Sequence, residues 1–361
     1  MSGVQRFSLY LLDGLDKAEY EIWVACKPGG EFVDEIKARG YHYLPLPSFR
    51  HPLSILDAIT FLHLLHIMFR QRFDIVHTNS SKPGFLGRLA ARIAGVPLIL
   101  HTAHGVPFQN GQHPLQYLVY SFLEGMGNLL GHKTIYVNNS DRLTCLKLGL
   151  IKEKKAISIF NALPEAQSKL LGDFASKRQA AANEFIIGST IRFSQQKNAI
   201  NLVTAACKAC LLSEKLRFVI LGDGEHYELC KAIVKSYKVD NRVLLPGWDS
   251  DTLPWLKVFN AFVLYSRWEA MPFSIIEAMS AALPVIGSDI PSIAELVNED
   301  CGCLVPLDDE KALIASFLAL VSDPELAFSK GQNALNRINT ICSYPQMVSS
   351  YDRIYQQEPS S

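Results

Sequence analysis

Glu269 and Glu277 stand with seven residues between them, in the run Ser-Arg-Trp-Glu-Ala-Met-Pro-Phe-Ser-Ile-Ile-Glu-Ala-Met at 266–279. The apolar run 260–265 before them reads as a buried strand, and Glu277 reads as lying in the first turn of a helix. A strand, a short loop and a helix start make an anion site, because free N–H groups and the helix dipole converge there. Carboxylates do not hold phosphate, but they accept hydrogen bonds from sugar hydroxyls. The combination fits a ligand carrying both phosphate and sugar, a nucleotide-sugar. The same residues also fit a plain structural motif, since Ser274-x-x-Glu277 matches a capping box.

Further residues suit the same chemistry. Arg192 and Lys197, five apart in the turn 190–198, are placed to clamp a diphosphate and stabilise it as a leaving group. An ordinary solvated loop would look alike. Gly222-Asp223-Gly224 permits close backbone approach to a ligand or simply makes a tight turn. It fails as a dinucleotide fingerprint, because Tyr227 occupies the third glycine position. His101-Thr102-Ala103-His104-Gly105 ends a strand. His104 suits a sugar hydroxyl or a structural bond about equally, while His101 reads as structural. Ser81 and Lys82, at a helix expected to start at Pro83, suit an anionic acceptor group or a helix cap.

Elements long enough to position these residues are available. The chain has 361 residues, 48% apolar and 19% charged, which fits two domains with large cores. Net charge is zero, against a nucleic-acid partner bound through bulk charge. Residues 1–164 carry 17 Lys+Arg against 12 Asp+Glu, a mildly basic half that would favour an anionic membrane surface, or mere scatter. No basic-then-apolar leader opens the chain, and the apolar stretch 58–69 is too short to span a bilayer. A cytoplasmic location is expected, with peripheral membrane contact left open. The apolar helical patterns 53–73 and 115–130 suit a membrane face or, more commonly, core packing. Eight scattered cysteines read as reduced, mostly buried thiols, and no metal site is expected.

Strand-like runs alternate with helical ones, the pattern of parallel α/β sheets. They fall at 20–26, 41–45, 75–78, 98–101, 134–138 and 156–160, with helices at 54–71 and 83–94. After a polar stretch at 164–184 with no evident apolar face, read as a link and entry helix, a second series follows at 185–190, 216–221, 242–245, 261–265, 284–287 and 302–305. A terminal helix is expected over 344–356. The fold class is therefore α/β with two doubly wound, Rossmann-like domains facing a cleft, over 1–164 (with 344–361 packing back) and 165–343.

With these motifs in order, the sequence resembles the family-4 retaining glycosyltransferases of the GT-B fold, in the form found in bacterial surface-polysaccharide synthesis. The carriers are the Glu269–Glu277 pair, Pro284 to Asp289, Arg192 with Lys197, Gly222 to Gly224, Pro246-Gly247-Trp248, Gly302 to Pro306, Gly3 to Phe7, the His77–Arg88 segment and His101 to Gly105. The resemblance implies transfer of a sugar from a nucleotide-diphosphate donor, UDP-linked by preference, to a glycan or polyprenyl-linked acceptor. It implies that Glu277 binds the donor ribose and Glu269 the donor sugar. Arg192 and Lys197, with the N–H groups of Phe273 and Ser274, would neutralise the diphosphate, so neither metal nor cofactor is implied. Gly222 would lie at the donor, His104 would contact the donor sugar, and Gly3 would belong to a loop near the diphosphate. Three departures stand out. The chain opens at Met1-Ser2-Gly3, where family members carry a strand before that loop; either the natural start lies further upstream, which is the preferred reading, or the first sheet lacks a central strand. Ala270 and Ala282 replace usual glycines, and a positive φ at either would cost stability. Asn79 replaces a common histidine. These departures motivate a rival reading as a non-catalytic GT-B-like partner subunit; a nucleotide-sugar epimerase ranks lower.

Overall fold

The computed structural model describes residues 1–48, 56–108, 113–179 and 183–357. The chain divides into two compact units, Met1–Asn161 with Tyr344–Ser361, and Ala162–Ser343.

The first unit runs α1 (Gly3–Gly14), β1 (Trp23–Cys26), α2 (Glu31–Ala38), β2 (His42–Pro45), α3 (Leu56–Gln71), β3 (Ile75–Asn79), α4 (Ser81–Ile93), β4 (Leu98–Ala103), α5 (Pro114–Leu130), β5 (Lys133–Tyr136), α6 (Asn139–Lys147) and β6 (Ala156–Ser158). Its strands are parallel and form two sheets, β1-β2 and β3-β4-β5-β6. Among the described residues no strand joins β1 to β3. The central β4 is buried along its whole length, as a strand covered on both faces must be.

The second unit runs α7 (Glu165–Ser176), β7 (Phe185–Thr190), α8 (Ala199–Leu212), β8 (Leu216–Leu221), α9 (Tyr227–Tyr237), β9 (Val243–Gly247), α10 (Leu253–Val258), β10 (Ala261–Leu264), α11 (Phe273–Ser280), β11 (Val285–Ser288), α12 (Pro291–Ala294), β12 (Gly302–Val305), α13 (Glu310–Ser322) and α14 (Pro324–Ile341). Its sheet is parallel in the order β12-β11-β10-β7-β8-β9. This is the 3-2-1-4-5-6 order of a doubly wound fold, with the switch point between β7 and β10. The chain then returns to the first unit through α15 (Tyr344–Tyr355), whose Tyr344 hydroxyl donates to the Tyr10 carbonyl at 2.7 Å.

Each of the twelve strand-like runs carries a strand, with ends displaced by a few residues. Several readings change. Residues 164–184 are not faceless: Leu171 and Ala175 of α7 are buried, and Arg178 donates to the Ala281 and Leu256 carbonyls. Residues 180–182 of that stretch, the expected helix start at Ser54 and Ile55, and the tail beyond 357 lie outside the described residues. Core packing holds only in part for the apolar helices. α3 buries Leu64 and Met68 but exposes Ile59, Leu62 and Phe69, and α5 exposes most of its large side chains. Of the two alanines, Ala282 does sit at positive φ (+53°); Ala270 is not among the positive-φ residues. The cysteines are free thiols, Cys207 and Cys210 buried within α8.

Candidate active site

The second unit gathers its chemistry at the C-terminal ends of β7 and β10, the switch point where such sheets bind ligands. Two loops meet there, one after each strand, and three successive residues lace them together. The Arg267 N–H donates to the Gln196 carbonyl at 2.8 Å. The Gln196 amide donates to the Trp268 carbonyl at 3.1 Å, and the Lys197 ammonium donates to Glu269 Oε1. Asn198 closes the first loop in the left-handed region (φ +51°), which Asn tolerates better than most residues, at the N-cap position of α8 but without a side-chain cap bond. Arg267 is itself fixed by a two-pronged pair with Asp308, at 3.0 and 2.6 Å.

Glu277 lies in the second turn of α11, not the first as its sequence reading had it. The N-cap of α11 is Pro272, which puts Ser274 at the second helical position, so the Ser274–Glu277 capping box does not form. With the structural motif gone, burial of the carboxylate needs another reason. Glu277 is 3% exposed, and its Oε1 accepts from the Gln167 amide on α7 at 3.0 Å. Phe273 and Ser274 are the first two residues of α11, so their N–H groups stand at its positive end. Arg192 is the exposed member of the set, 3.6 Å from Glu225.

Gly222 acts on this site through the backbone. A Cβ there would stand 1.7 Å from the Ile191 carbonyl oxygen, and at Gly224 one would stand 2.5 Å from that of Phe193. The Gly-Asp-Gly turn packs directly on the backbone that carries Arg192, tied by Phe193 N–H to Asp223 O at 2.9 Å. Its close approach is to its own chain.

The first unit presents a separate cluster at the ends of β3 and β4. His104 Nε2 lies 2.8 Å from Asn79 Oδ1 and its ring meets Phe7 edge-on at 4.6 Å. Burial, then the neighbouring His77, lowers its pKa to about 3, so the ring is neutral and Nε2 carries the proton that Asn79 accepts. Asn79 thus orients His104. His101 is structural: Nδ1 is 3.0 Å from Thr78 Oγ1, and its ring fills the space a Cβ on Gly84 would need. His77 bridges Tyr355 and Thr102 at 2.6 and 2.7 Å, and burial brings it down to about 4.

Two first-half readings are corrected. Gly3 is not in a loop; it is the first residue of α1, behind a capping box in which Ser2 N–H donates to Gln5 Oε1 at 2.7 Å. The Ser-x-x-Gln signal was present in the sequence. Helix α4 starts at Ser81 rather than Pro83, and its N-cap Ser80 makes no side-chain cap bond. Lys82, read as an acceptor-side candidate, pairs with Asp57 of α3 at 2.5 Å in the protein alone, both side chains largely buried. The sequence reading passed over Gln167 and Gln196. Neither has a local signature, because each bonds a group far away in the chain.

Paired parallel α/β units with buried carboxylates at a switch point define the class: a GT-B glycosyltransferase. HepE of Anabaena, solved with UDP and glucose, matches with a TM-score of 0.81 at 15% identity, over 98% of this chain and 95% of its own. Sucrose-phosphate synthase of Thermosynechococcus elongatus matches at 0.80 and 18%, over 99% and 93%. At such identities these likenesses show the fold. Residues 1–156 match the family described as Glycosyltransferase Family 4, and residues 184–323 match Glycosyl transferases group 1. The UDP-Gal:alpha-D-GlcNAc-diphosphoundecaprenol alpha-1,3-galactosyltransferase of Escherichia coli is 33% identical over 94% of this chain and 89% of its own length. The capsular polysaccharide biosynthesis glycosyltransferase CapM of Staphylococcus aureus is 22% identical over 81% and 79%. The chain belongs to glycosyltransferase family 4.

Proposed function

We propose that this glycosyltransferase moves a sugar from a UDP-sugar, with retention of anomeric configuration, to a polyprenyl-diphosphate-linked glycan during surface-polysaccharide synthesis. The carrying observation is the Lys197–Glu269 ion pair at the mouth of the switch point, beside the α11 N-terminus and the buried Glu277. An ammonium paired with a carboxylate is poised to exchange that partner for a diphosphate, leaving Glu269 to accept from sugar hydroxyls. Glu277, held by Gln167 on α7, is assigned to the ribose. Arg192 and the Phe273 and Ser274 N–H groups complete the anion site, a role that requires no metal ion. His104, neutral and oriented by Asn79, is assigned to a sugar hydroxyl. Retention is assigned to the departing diphosphate itself, assisting the acceptor on the same face. The UDP donor and lipid-linked acceptor are supported by the name of the 33% relative.

The test is incubation with UDP-, GDP- and ADP-sugars and a polyprenyl-diphosphate GlcNAc acceptor, with the product anomer read by NMR coupling. An α-linked product from a UDP-α-sugar supports the reading; inversion, or transfer from another base alone, overturns it.

A further inference from the structure

Helix α5 is turned inside out relative to what water dictates. Leu118, Phe122 and Leu129, spaced along one helical stripe, are 65, 63 and 70% exposed, and Leu115 continues it. The opposite face, against α4, is the polar and small one: Ser121, Glu124, Gly127 and Asn128 are buried. That orientation is fixed by the packing beneath. Buried Arg88 of α4 donates to Asn128 Oδ1 at 3.2 Å, Thr134 donates to the same oxygen at 2.8 Å, and Arg88 occupies the space a Cβ on Gly127 would need. Rotating the helix to hide the leucines would break this network, so the apolar stripe is held outward.

A cationic cluster adjoins the C-terminal end of the stripe. Lys155 donates to the carbonyls of Asn128 and Gly131, at 3.3 and 2.6 Å, and so caps α5. Lys152 and Lys154, both exposed and three and one positions before it, lie at the same end, where Lys133 donates to the Lys154 carbonyl at 2.8 Å; burial, then the like charges of Arg92, Lys154 and Lys152, lowers the Lys155 pKa. Glu124, the one acid of α5, is on the buried face, and the neighbouring Glu153 is paired with Arg142. An apolar stripe with a basic end and no exposed acid on the helix matches a bilayer interface: side chains for the acyl boundary, cations for anionic headgroups.

We infer that α5 docks this protein on an anionic membrane surface, seating Leu118, Phe122 and Leu129 at the acyl boundary with Lys152 and Lys154 against lipid phosphates. The inference stands apart from the donor and acceptor assignment, because its readout is binding alone.

The full chain is sedimented with vesicles of phosphatidylcholine, with and without phosphatidylglycerol, at low and high salt. Binding to the anionic vesicles at least about tenfold tighter than to the neutral ones, and weakened by salt, is expected. L118S/F122S should lose binding by about tenfold or more with its urea midpoint unchanged. K152S/K154S should lose only the anionic preference. Failure of the wild type to bind either vesicle overturns the inference, as does wild-type binding by L118S/F122S. A dimer by light scattering that L118S/F122S splits, without vesicle binding, would instead make the stripe an interface between two copies.

Discussion

Lys197 and Glu269 are ion-paired although 72 positions separate them, and neither side chain is more than one-fifth exposed. The residues singled out for opposite parts of the donor, its diphosphate and its sugar, are each other's partners in the protein alone. Donor binding must therefore separate or share this pair. Removing one partner strands the other's charge, which costs more than the pair contributes. Lys197→Ala and Glu269→Gln should each lower kcat/KM at least about tenfold. The double variant should fall by less than the product of the two losses. Additive losses would show that the pair is not a functional unit.

Gln167 acts on Glu277 from outside the loops. Gln167→Ala leaves a buried carboxylate oxygen short of a donor, and such a bond to a charged group contributes about 1.5–3 kcal/mol. UDP affinity should drop roughly tenfold with kcat less affected, whereas Gln167→Glu should weaken it further by like-charge repulsion. Calorimetric titration separates these outcomes, and an unchanged affinity for both variants would place the ribose elsewhere.

Gly222 has φ +133°, and its missing Cβ is replaced by the Ile191 carbonyl. Gly222→Ala forces the Arg192 loop to move and should destabilise the protein by about 2 kcal/mol or more while also weakening UDP binding. The comparable Gly172→Ala meets open space on α7. It should be neutral to stabilising by up to about 1 kcal/mol. Urea midpoints of the two variants measure the contrast.

His77 is neutral when folded and titrates only at about 4, against an ordinary value near 6.5. A depressed folded-state pKa gives stability that is present above the ordinary value and lost as pH falls through the folded one. Between about pH 6.5 and 4 this residue should cost up to about 1.4 kcal/mol per pH unit. His77→Gln, which retains hydrogen bonding but does not protonate, should close part of its stability gap to wild type between pH 7 and pH 5. Parallel pH curves would argue against the assignment.

Glu124 runs the other way. Burial raises its pKa despite the opposing charge of Arg88. An acid whose folded pKa is raised binds its proton more tightly when folded, so its cost grows as pH rises above the ordinary carboxylate range. Glu124→Gln should match wild type near pH 4 and exceed it in stability at pH 8. Chemical denaturation at both values tests this, and an unchanged difference refutes it.

The inner strands β4, β8, β10 and β11 were legible because a strand of a parallel sheet buried on both faces must read as an apolar run bounded by turn residues, and the more exposed β1, β2 and β9 because turn residues bound them. The loops after the strands that became β7 and β10 were legible for the same reason, as breaks in that pattern carrying Arg192, Lys197, Glu269 and Glu277. Residue type and local spacing determined those features, and the ordered motifs carried the family resemblance. Tertiary structure alone decided which carboxylate meets which cation, that Glu277 is held by a helix read as a mere link, and that Lys82 pairs with Asp57. It alone chose which face of α5 points outward, since one periodicity serves either face and Arg88, Asn128 and Thr134 arrive from three different elements. The division follows from range: burial patterns are written in neighbouring residues, whereas a hydrogen bond between side chains tens of positions apart exists only once the sheet has ordered the loops between them.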